Sequence, residues 1–129
     1  ADANINLEKL ETAKKYVLQA LEIDPNHGPS YIKMATIYGV AVTVCTRDRK
    51  LEAQDKVVYW VVIDYLNKAK NIDPSMANTV NRQLSTYEDV TPNTEDKFFT
   101  LSLENGQKIT IDKSLMPCYG WINETTTVR

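Results

Sequence analysis

Two stretches of this chain, residues 16–25 (YVLQALEIDP) and residues 65–74 (YLNKAKNIDP), carry Tyr, Ala, Ile, Asp and Pro at one constant offset of 49 residues. Self-similarity at a fixed period is the signature of repeat proteins, in which one supersecondary unit stacks on the next. Both stretches end in Asp-Pro, and the residue before a proline is pushed out of helical backbone geometry. The repeat therefore predicts two helices that stop at the same point of two similar units.

The spacing of small and aromatic residues in these units resembles the tetratricopeptide repeat (TPR), a helix–turn–helix unit of about 34 residues. Eight residues fall at the structural positions of that repeat: Ala13, Ala20, Pro25, Tyr31, Ala35, Tyr38, Ala69 and Pro74. Val62, Gln83 and Leu84 depart from the pattern. The resemblance covers residues 1–88 and is most specific over residues 13–38.

The resemblance implies helical hairpins stacked into a short superhelix, with a non-catalytic role as a protein–protein interaction scaffold. In this family the ligand groove is lined by the first helix of each unit, and five residues take those positions here: Ile32, Thr36, Asn78, Asn81 and Ser85. Ile32 stands where members that bind chaperone tails carry a lysine, which argues against that ligand. The implied partner is a protein or peptide whose identity the sequence does not specify.

The repeat spacing exceeds one TPR unit by about 15 residues, and the extra residues fall around 39–61. Residues 40–45 and 57–66 are apolar runs on either side of a polar turn at 46–50. Their β-branched content is also compatible with strands. We favour helices, because residues 56–72 keep helical register up to the second Asp-Pro. The extra length then adds roughly two turns to each helix of this hairpin.

The pattern changes after a polar linker at residues 88–96. Residues 97–103 alternate apolar and polar, Asn105-Gly106 is typical of a two-residue hairpin turn, and residues 108–112 alternate back. Residues 119–129 predict a third strand. We therefore predict an α+β chain, with TPR-like helical hairpins over residues 1–92 and a small antiparallel sheet over 93–129. The sheet should pack on the extended helices, because an isolated hairpin is marginally stable in water.

The ionisable residues suggest no catalytic set. The single histidine, His27, lies in the turn between two units, and no histidine or cysteine spacing suits zinc. Asp24 and Asp73 precede the two prolines and are expected to be structural. We expect no enzymatic activity, no cofactor and no metal. Arg47, Arg49 and Lys50 form a small basic cluster, which we interpret as a solvated turn, with contact to an acidic partner as the alternative.

Charge and cysteine content exclude some classes of partner and leave the compartment open. A formal net charge of −2 suggests neither nucleic acid nor an anionic membrane, and no apolar run is long enough to span a bilayer. Cys45 and Cys118 lie in apolar surroundings, and we expect them to be free and buried rather than paired. Both a cytoplasmic and a periplasmic location fit this pattern.

The chain begins in the middle of a repeat unit, so we expect a fragment or a cleaved form of a longer protein. Helix 7–23 would then expose a face that a neighbouring helix covers in a complete array, and this face could mediate self-association. An accessory or regulatory domain of a larger enzyme, or of a secretion or assembly protein, is the alternative function. A small-molecule site between the hairpin helices and the sheet is a third hypothesis.

Overall fold

The computed structural model describes the backbone of residues 2–129 and the side-chain surroundings from Leu7 onward. The chain is mostly helical and carries a two-stranded antiparallel sheet near its C-terminus, so the α+β prediction is confirmed. The main elements in chain order are α1 (Asp2–Ile23), α2 (Gly28–Cys45), α3 (Ala53–Ile72), α4 (Ala77–Glu88), β1 (Lys108–Ile111) and β2 (Glu124–Thr127). Each of the first three helices packs against the next one.

The two Asp-Pro sequences end helices as predicted, at Ile23 and Ile72. After each helix the aspartate side chain caps the following turn. Oδ1 of Asp24 accepts a hydrogen bond from the backbone nitrogen of Asn26 at 3.1 Å, and Oδ1 of Asp73 accepts one from that of Ser75 at 3.1 Å. Such turns replace helical backbone bonds with local side-chain bonds, so the repeat encodes a stop and a turn together.

Both apolar runs of the lengthened unit are helical, which confirms the preference for helices over strands. α2 continues through residues 40–45 to Cys45, and α3 begins at Ala53. Side chains in the added part of α3 and directly after it are buried on several sides of the helix: Val57, Val58, Trp60, Val61, Val62 and Ile63. A helix that is apolar almost all round requires neighbours on more than one side. α2 covers one side of α3, and α4 and the C-terminal segment contact the rest.

The C-terminal sheet differs from the predicted one. Residues 96–100 form a helical turn rather than a strand, and β1 pairs with β2, from Lys108 opposite Thr127 to Ile111 opposite Glu124. The predicted hairpin of residues 97–103 with 108–112 is therefore wrong. The alternation of apolar and polar residues was misleading here, as Phe99 shows. Phe99 is 83% exposed, and strand pairing is strongly specified only where one face of the strand is buried.

The Asn105-Gly106 turn itself is present, with Gly106 at a φ of +87° that glycine adopts without steric cost. Beyond it the chain pairs with the C-terminal run, because Gly106 donates a backbone hydrogen bond to Val128 and Val128 donates one to Gln107, both at 2.8 Å. The third predicted strand thus exists as β2 and takes the place assigned to residues 97–103. The local signal predicted the turn correctly and the partner strand incorrectly.

A disulfide bond joins Cys45, the last residue of α2, to Cys118, so the prediction of two free thiols is wrong. Extension of α2 carries Cys45 beyond the repeat core to the level of the C-terminal segment. The two Cα atoms are 6.1 Å apart, a separation that suits a disulfide, although the residues are 73 positions apart in sequence. The bond closes a large loop of chain that contains α3, α4 and β1.

The C-terminal segment shares one hydrophobic core with the helices. Ile111, Tyr119, Ile122 and Val128 are buried in the same cluster as Trp60 of α3. Two ion pairs also attach this segment to α3, between Lys56 and Asp96 at 2.9 Å and between Asp64 and Arg129. Within residues 2–129, no helix is long and apolar enough to cross a membrane.

Candidate functional site

Three of the five predicted groove residues line one concavity. Asn78, Asn81 and Ser85 are exposed on α4 and border, together with Arg82, a shallow surface depression of about 540 Å³. Buried Val80 and Leu84 hold the opposite face of α4 against the core. We call these four lining residues the α4 polar face.

The other two predicted groove residues lie on α2 and do not line this depression. Ile32 is half-buried, and Thr36 is exposed with its hydroxyl donated to the carbonyl of Ile32 at 3.1 Å. α2 approaches α4 where a Cβ on Gly39 would lie 3.0 Å from the hydroxyl of Tyr87. The absence of a side chain at Gly39 therefore allows the two helices to lie close together. The structure places all five residues on neighbouring helices but gathers only three.

Some polar groups of the α4 polar face are hydrogen-bonded within the protein, and others remain available to a ligand. Asn81 accepts a hydrogen bond from Nζ of Lys70 at 3.1 Å through Oδ1, and the Ser85 hydroxyl donates to the carbonyl of Arg82 at 2.9 Å. Among the described contacts, the side-chain amide of Asn78 and the amide nitrogen of Asn81 have no protein partner. An asparagine side chain offers both a carbonyl acceptor and an N–H₂ donor. The face can therefore bond to groups of either polarity.

A second concavity, of about 320 Å³, lies where α1, α3 and β2 meet. Its lining combines apolar, aromatic and charged side chains: Leu18, Leu21, Tyr31, Val61, Asp64, Tyr65, Lys68, Glu124 and Thr125. The sequence hypothesis placed a small molecule between the hairpin helices and the sheet, and this concavity shares α3 and β2 with that place but is also bordered by α1. Asp64 is paired with Arg129, and the hydroxyl of Thr126 donates to it at 2.6 Å.

Glu124 of β2 bonds to two helices beside this second concavity. Its Oε2 accepts hydrogen bonds from the hydroxyls of Tyr38, at 2.7 Å, and Tyr65. Burial and the Glu124 charge hold the pKa of Tyr38 far above its usual value, and burial and the same carboxylate raise that of Tyr65. Both hydroxyls therefore stay protonated and act as hydrogen-bond donors. This cluster connects β2 to α2 and α3 rather than forming a nucleophile or a base.

Lys14 attaches α1 to the same region. Its ammonium donates to the carbonyls of Trp121, at 3.2 Å, and Ile122, and lies 5.6 Å from the ring centre of Tyr38. Burial lowers the pKa of Lys14 from its usual value. A lysine with a lowered pKa can mark a catalytic site. Here the ammonium contacts two carbonyl oxygens and an aromatic ring, so Lys14 holds α1 against the C-terminal segment and has a structural role.

A buried carboxylate lies at the opposite end of the hairpin. Asp55 has no exposed surface and accepts two hydrogen bonds from Arg49 at 2.7 Å, one from the hydroxyl of Tyr119 and one from the backbone nitrogen of Glu52 at 2.7 Å. Burial alone would raise the pKa of Asp55, but the bonds from Arg49 and Tyr119 hold it below its usual value. Arg49 is thus paired with a buried carboxylate of the same chain although part of its side chain reaches solvent, which corrects its assignment to a solvated basic cluster with Arg47 and Lys50.

The other ionisable residues whose surroundings the structure describes form no further cluster. His27 is exposed, with Nδ1 at 2.7 Å from the hydroxyl of Ser30. In the part of the chain that the structure describes, no three His, Cys, Asp or Glu side chains gather as a metal site would require. Arg82 was not among the groove residues predicted from the sequence, although it follows Asn78 by four residues and so shares its side of the helix.

Comparison of the chain with protein-family models, with curated proteins and with solved structures gave no match. The function must therefore be argued from the surface chemistry of the molecule.

Proposed function

We propose that this chain is a non-catalytic protein-interaction module of TPR type, whose α4 polar face binds an extended peptide. The observation that carries the proposal is the convergence of Asn78, Asn81 and Ser85 on one concavity of a well-anchored helix. Their spacing of three and four residues places them along one side of α4. Each carries a hydrogen-bonding group, and none carries a charge.

The length of this row suits a short stretch of extended backbone. Seven residues of helix separate Asn78 from Ser85, which corresponds to about 10 Å along the helix axis. An extended chain covers that distance in roughly three residues. A peptide bond presents one N–H and one C=O, and the asparagine amides can pair with both. The face would therefore recognise main chain, with little dependence on the side chains of the peptide.

The charges at this face favour an acidic peptide. Arg82 lines the concavity, and the ammonium of Lys70 lies at its edge, bonded to Asn81. No carboxylate is among the lining residues that the structure describes. Both cations are near the solvent, so their attraction for a carboxylate is modest and is weakened by salt. We therefore expect affinity from the amides and a preference for acidic peptides from Arg82.

Other features support the TPR assignment within this proposal. α1 to α4 pack in sequence order, two Asp-Pro stops with equivalent turns follow α1 and α3, and the buried small residues include Ala35 and Ala69. The lengthened hairpin and the C-terminal segment would then stiffen the scaffold that presents α4. An accessory role in a larger assembly is compatible with the same surface.

Peptide binding tests the proposal. Fluorescence polarisation can use labelled peptides of about eight residues that differ only in a central Asp, Ser or Lys. The peptide with Asp should bind most tightly. Asn78→Ala/Asn81→Ala should weaken binding of all three by about tenfold or more, as expected for central interface residues. Arg82→Gln should remove the preference for Asp and leave the Ser peptide unaffected.

The matched control is Thr79→Ala/Thr86→Ala, which truncates two exposed polar residues of α4 that do not line the concavity. This variant should bind as the unmodified chain does. The proposal is wrong if no peptide of any charge binds, or if the double asparagine variant binds as tightly as the control.

A further inference from the structure

The second concavity, where α1, α3 and β2 meet, combines apolar side chains with charges of opposite sign. Leu18, Leu21 and Val61 supply apolar lining, and Lys68 and Glu124 supply the charges. Its volume of about 320 Å³ lies at the lower end of the roughly 300–1,000 Å³ that is usual for small-molecule sites. Such sites pair an apolar lining with a few polar groups that orient the ligand. The lining therefore suits a small ligand that is both apolar and charged.

The two leucines are not part of the surface on which the repeat units stack. By the 49-residue offset they correspond to Asn67 and Lys70 of α3. Asn67 is exposed, and Lys70 reaches Asn81 of α4, so α2, the helix before α3, covers neither. A helix placed before α1 as α2 is placed before α3 would likewise leave the two leucines uncovered. Their apolar character therefore belongs to the concavity and is not required by helix stacking.

Lys68 supplies a cation that has no carboxylate partner among the described contacts. Its ammonium lies 5.5 Å from the ring centre of Tyr31. The hydroxyl of Tyr31 donates a hydrogen bond to the carbonyl of Pro25 at 2.7 Å, so the ring beneath the ammonium is held in place. The ion pairs that the structure shows within residues 7–129 do not include Lys68. Its ammonium can therefore bind a carboxylate of a ligand.

Glu124 supplies the acidic group. Its Oε2 accepts two tyrosine hydroxyls, whereas Oε1 has no partner among the described hydrogen bonds. Asp64 also lines the concavity, but Arg129 and Thr126 bond to its two oxygens. Lys14 donates to backbone carbonyls rather than to Glu124. An ionised carboxylate accepts hydrogen bonds at both oxygens, so Oε1 of Glu124 can accept one from a ligand ammonium.

We propose that the second concavity binds a free α-amino acid with an apolar side chain, such as leucine. The ligand carboxylate pairs with Lys68, and the ligand ammonium pairs with Oε1 of Glu124. The ligand side chain lies against the two leucines of α1 and Val61. A fatty acid or an amine would engage only one of the two charges, so charge complementarity selects the zwitterion. The site shares no lining residue with the α4 polar face.

Isothermal titration calorimetry with leucine and three analogues tests the class of ligand. Isocaproate lacks the ammonium, isoamylamine lacks the carboxylate, and glycine lacks the apolar side chain. Leucine should bind with a dissociation constant between about 10 µM and 1 mM. Each analogue should bind about tenfold or more weakly, because hydrogen bonds to charged groups and the burial of an apolar side chain each contribute that much.

Lys68→Met tests the cation, because it removes the charge and keeps an apolar side chain of similar length. This variant should bind leucine about tenfold or more weakly, and it should not weaken the binding of isoamylamine, which has no carboxylate. Lys70→Met is the matched control, since Lys70 carries the same charge on the same helix but does not line the concavity. The control should bind leucine as the unmodified chain does.

Glu124→Gln is an independent variant that keeps an oxygen acceptor for the two tyrosine hydroxyls. It should weaken leucine about tenfold or more and leave isocaproate unaffected. Three results would each overturn the proposal: no heat of binding with leucine at about 10 mM, a leucine affinity that Lys68→Met leaves unchanged, or an isocaproate or isoamylamine affinity equal to that of leucine.

Discussion

Replacement of Asp55 by alanine should lower the free energy of unfolding by about 2–3 kcal/mol, because the hydrogen bonds that this buried charged group accepts are lost. Asp55 is fully buried and accepts hydrogen bonds from Arg49, Tyr119 and the backbone of Glu52. Loss of the carboxylate leaves the buried hydroxyl of Tyr119 without that acceptor. Equilibrium unfolding in urea measures the change.

Asp48→Ala is the matched control for this substitution. Asp48 is exposed in the same turn, so its removal should change the free energy of unfolding by no more than about 0.5 kcal/mol. A double-mutant cycle with Tyr119→Phe should show that the two substitutions are not additive, because they remove the same bond. A loss below about 1 kcal/mol for Asp55→Ala would contradict the burial and bonding of this carboxylate.

The same network predicts how stability depends on pH. The pKa of Asp55 is lower in the folded chain than the usual value of about 3.9, so its ionised form stabilises the fold above that value. This contribution should be lost as the pH falls through the lowered pKa of the folded state. Urea midpoints measured from neutral to strongly acidic pH should therefore fall less steeply for Asp55→Asn than for the unmodified chain. Urea midpoints that fall equally steeply with pH for both chains would contradict the prediction.

Loss of the Cys45–Cys118 disulfide should destabilise the chain by about 4 kcal/mol, the value that loop-closure entropy assigns to a loop of this length. The bond joins the end of α2 to the segment that carries Tyr119, so the reduced unfolded chain gains much freedom. The melting temperature should fall by roughly 10–20 °C in the Cys45→Ser/Cys118→Ser variant. Circular dichroism melts with and without a reductant measure this.

A reductant should lower the melting temperature of the unmodified chain to that of the double serine variant, and it should leave the variant unchanged. Reactive free thiols in the folded, air-oxidised chain would contradict the disulfide. Such bonds persist in oxidising compartments and are rare in the cytosol. Of the two compartments that the sequence left open, we therefore expect an oxidising one such as the periplasm.

Local signals in the sequence predicted the helical part of the fold. Asp-Pro stops and an apolar run in helical register define α1 and α3, and these effects act within a few residues. The extension of α2 to Cys45 was predicted from the extra length of the unit and from the apolar run at residues 40–45. The choice of helix over strand rested on the continuity of the register up to the stop.

The features that were missed depend on residues far apart in sequence. β1 pairs with β2 rather than with residues 97–103, Asp55 bonds to Tyr119, and Cys45 bonds to Cys118. Each requires the folded position of the C-terminal segment, which no local pattern encodes. The candidate site was anticipated through Asn78, Asn81 and Ser85, because helical spacing places them on one face. The same spacing places Arg82 beside Asn78, whereas the separation of Ile32 and Thr36 from this group depends on the packing of whole helices.

Mapping of backbone amide chemical shifts by nuclear magnetic resonance shows whether the α4 polar face binds extended peptide. During titration with the tightest peptide of the Asp, Ser and Lys series, the largest changes should fall on residues 78–85 of α4, with smaller changes on neighbouring Lys70. The side-chain amides of Asn78 and Asn81 should shift with them. Changes confined to the concavity between α1, α3 and β2, with α4 unaffected, would contradict peptide binding at the α4 polar face.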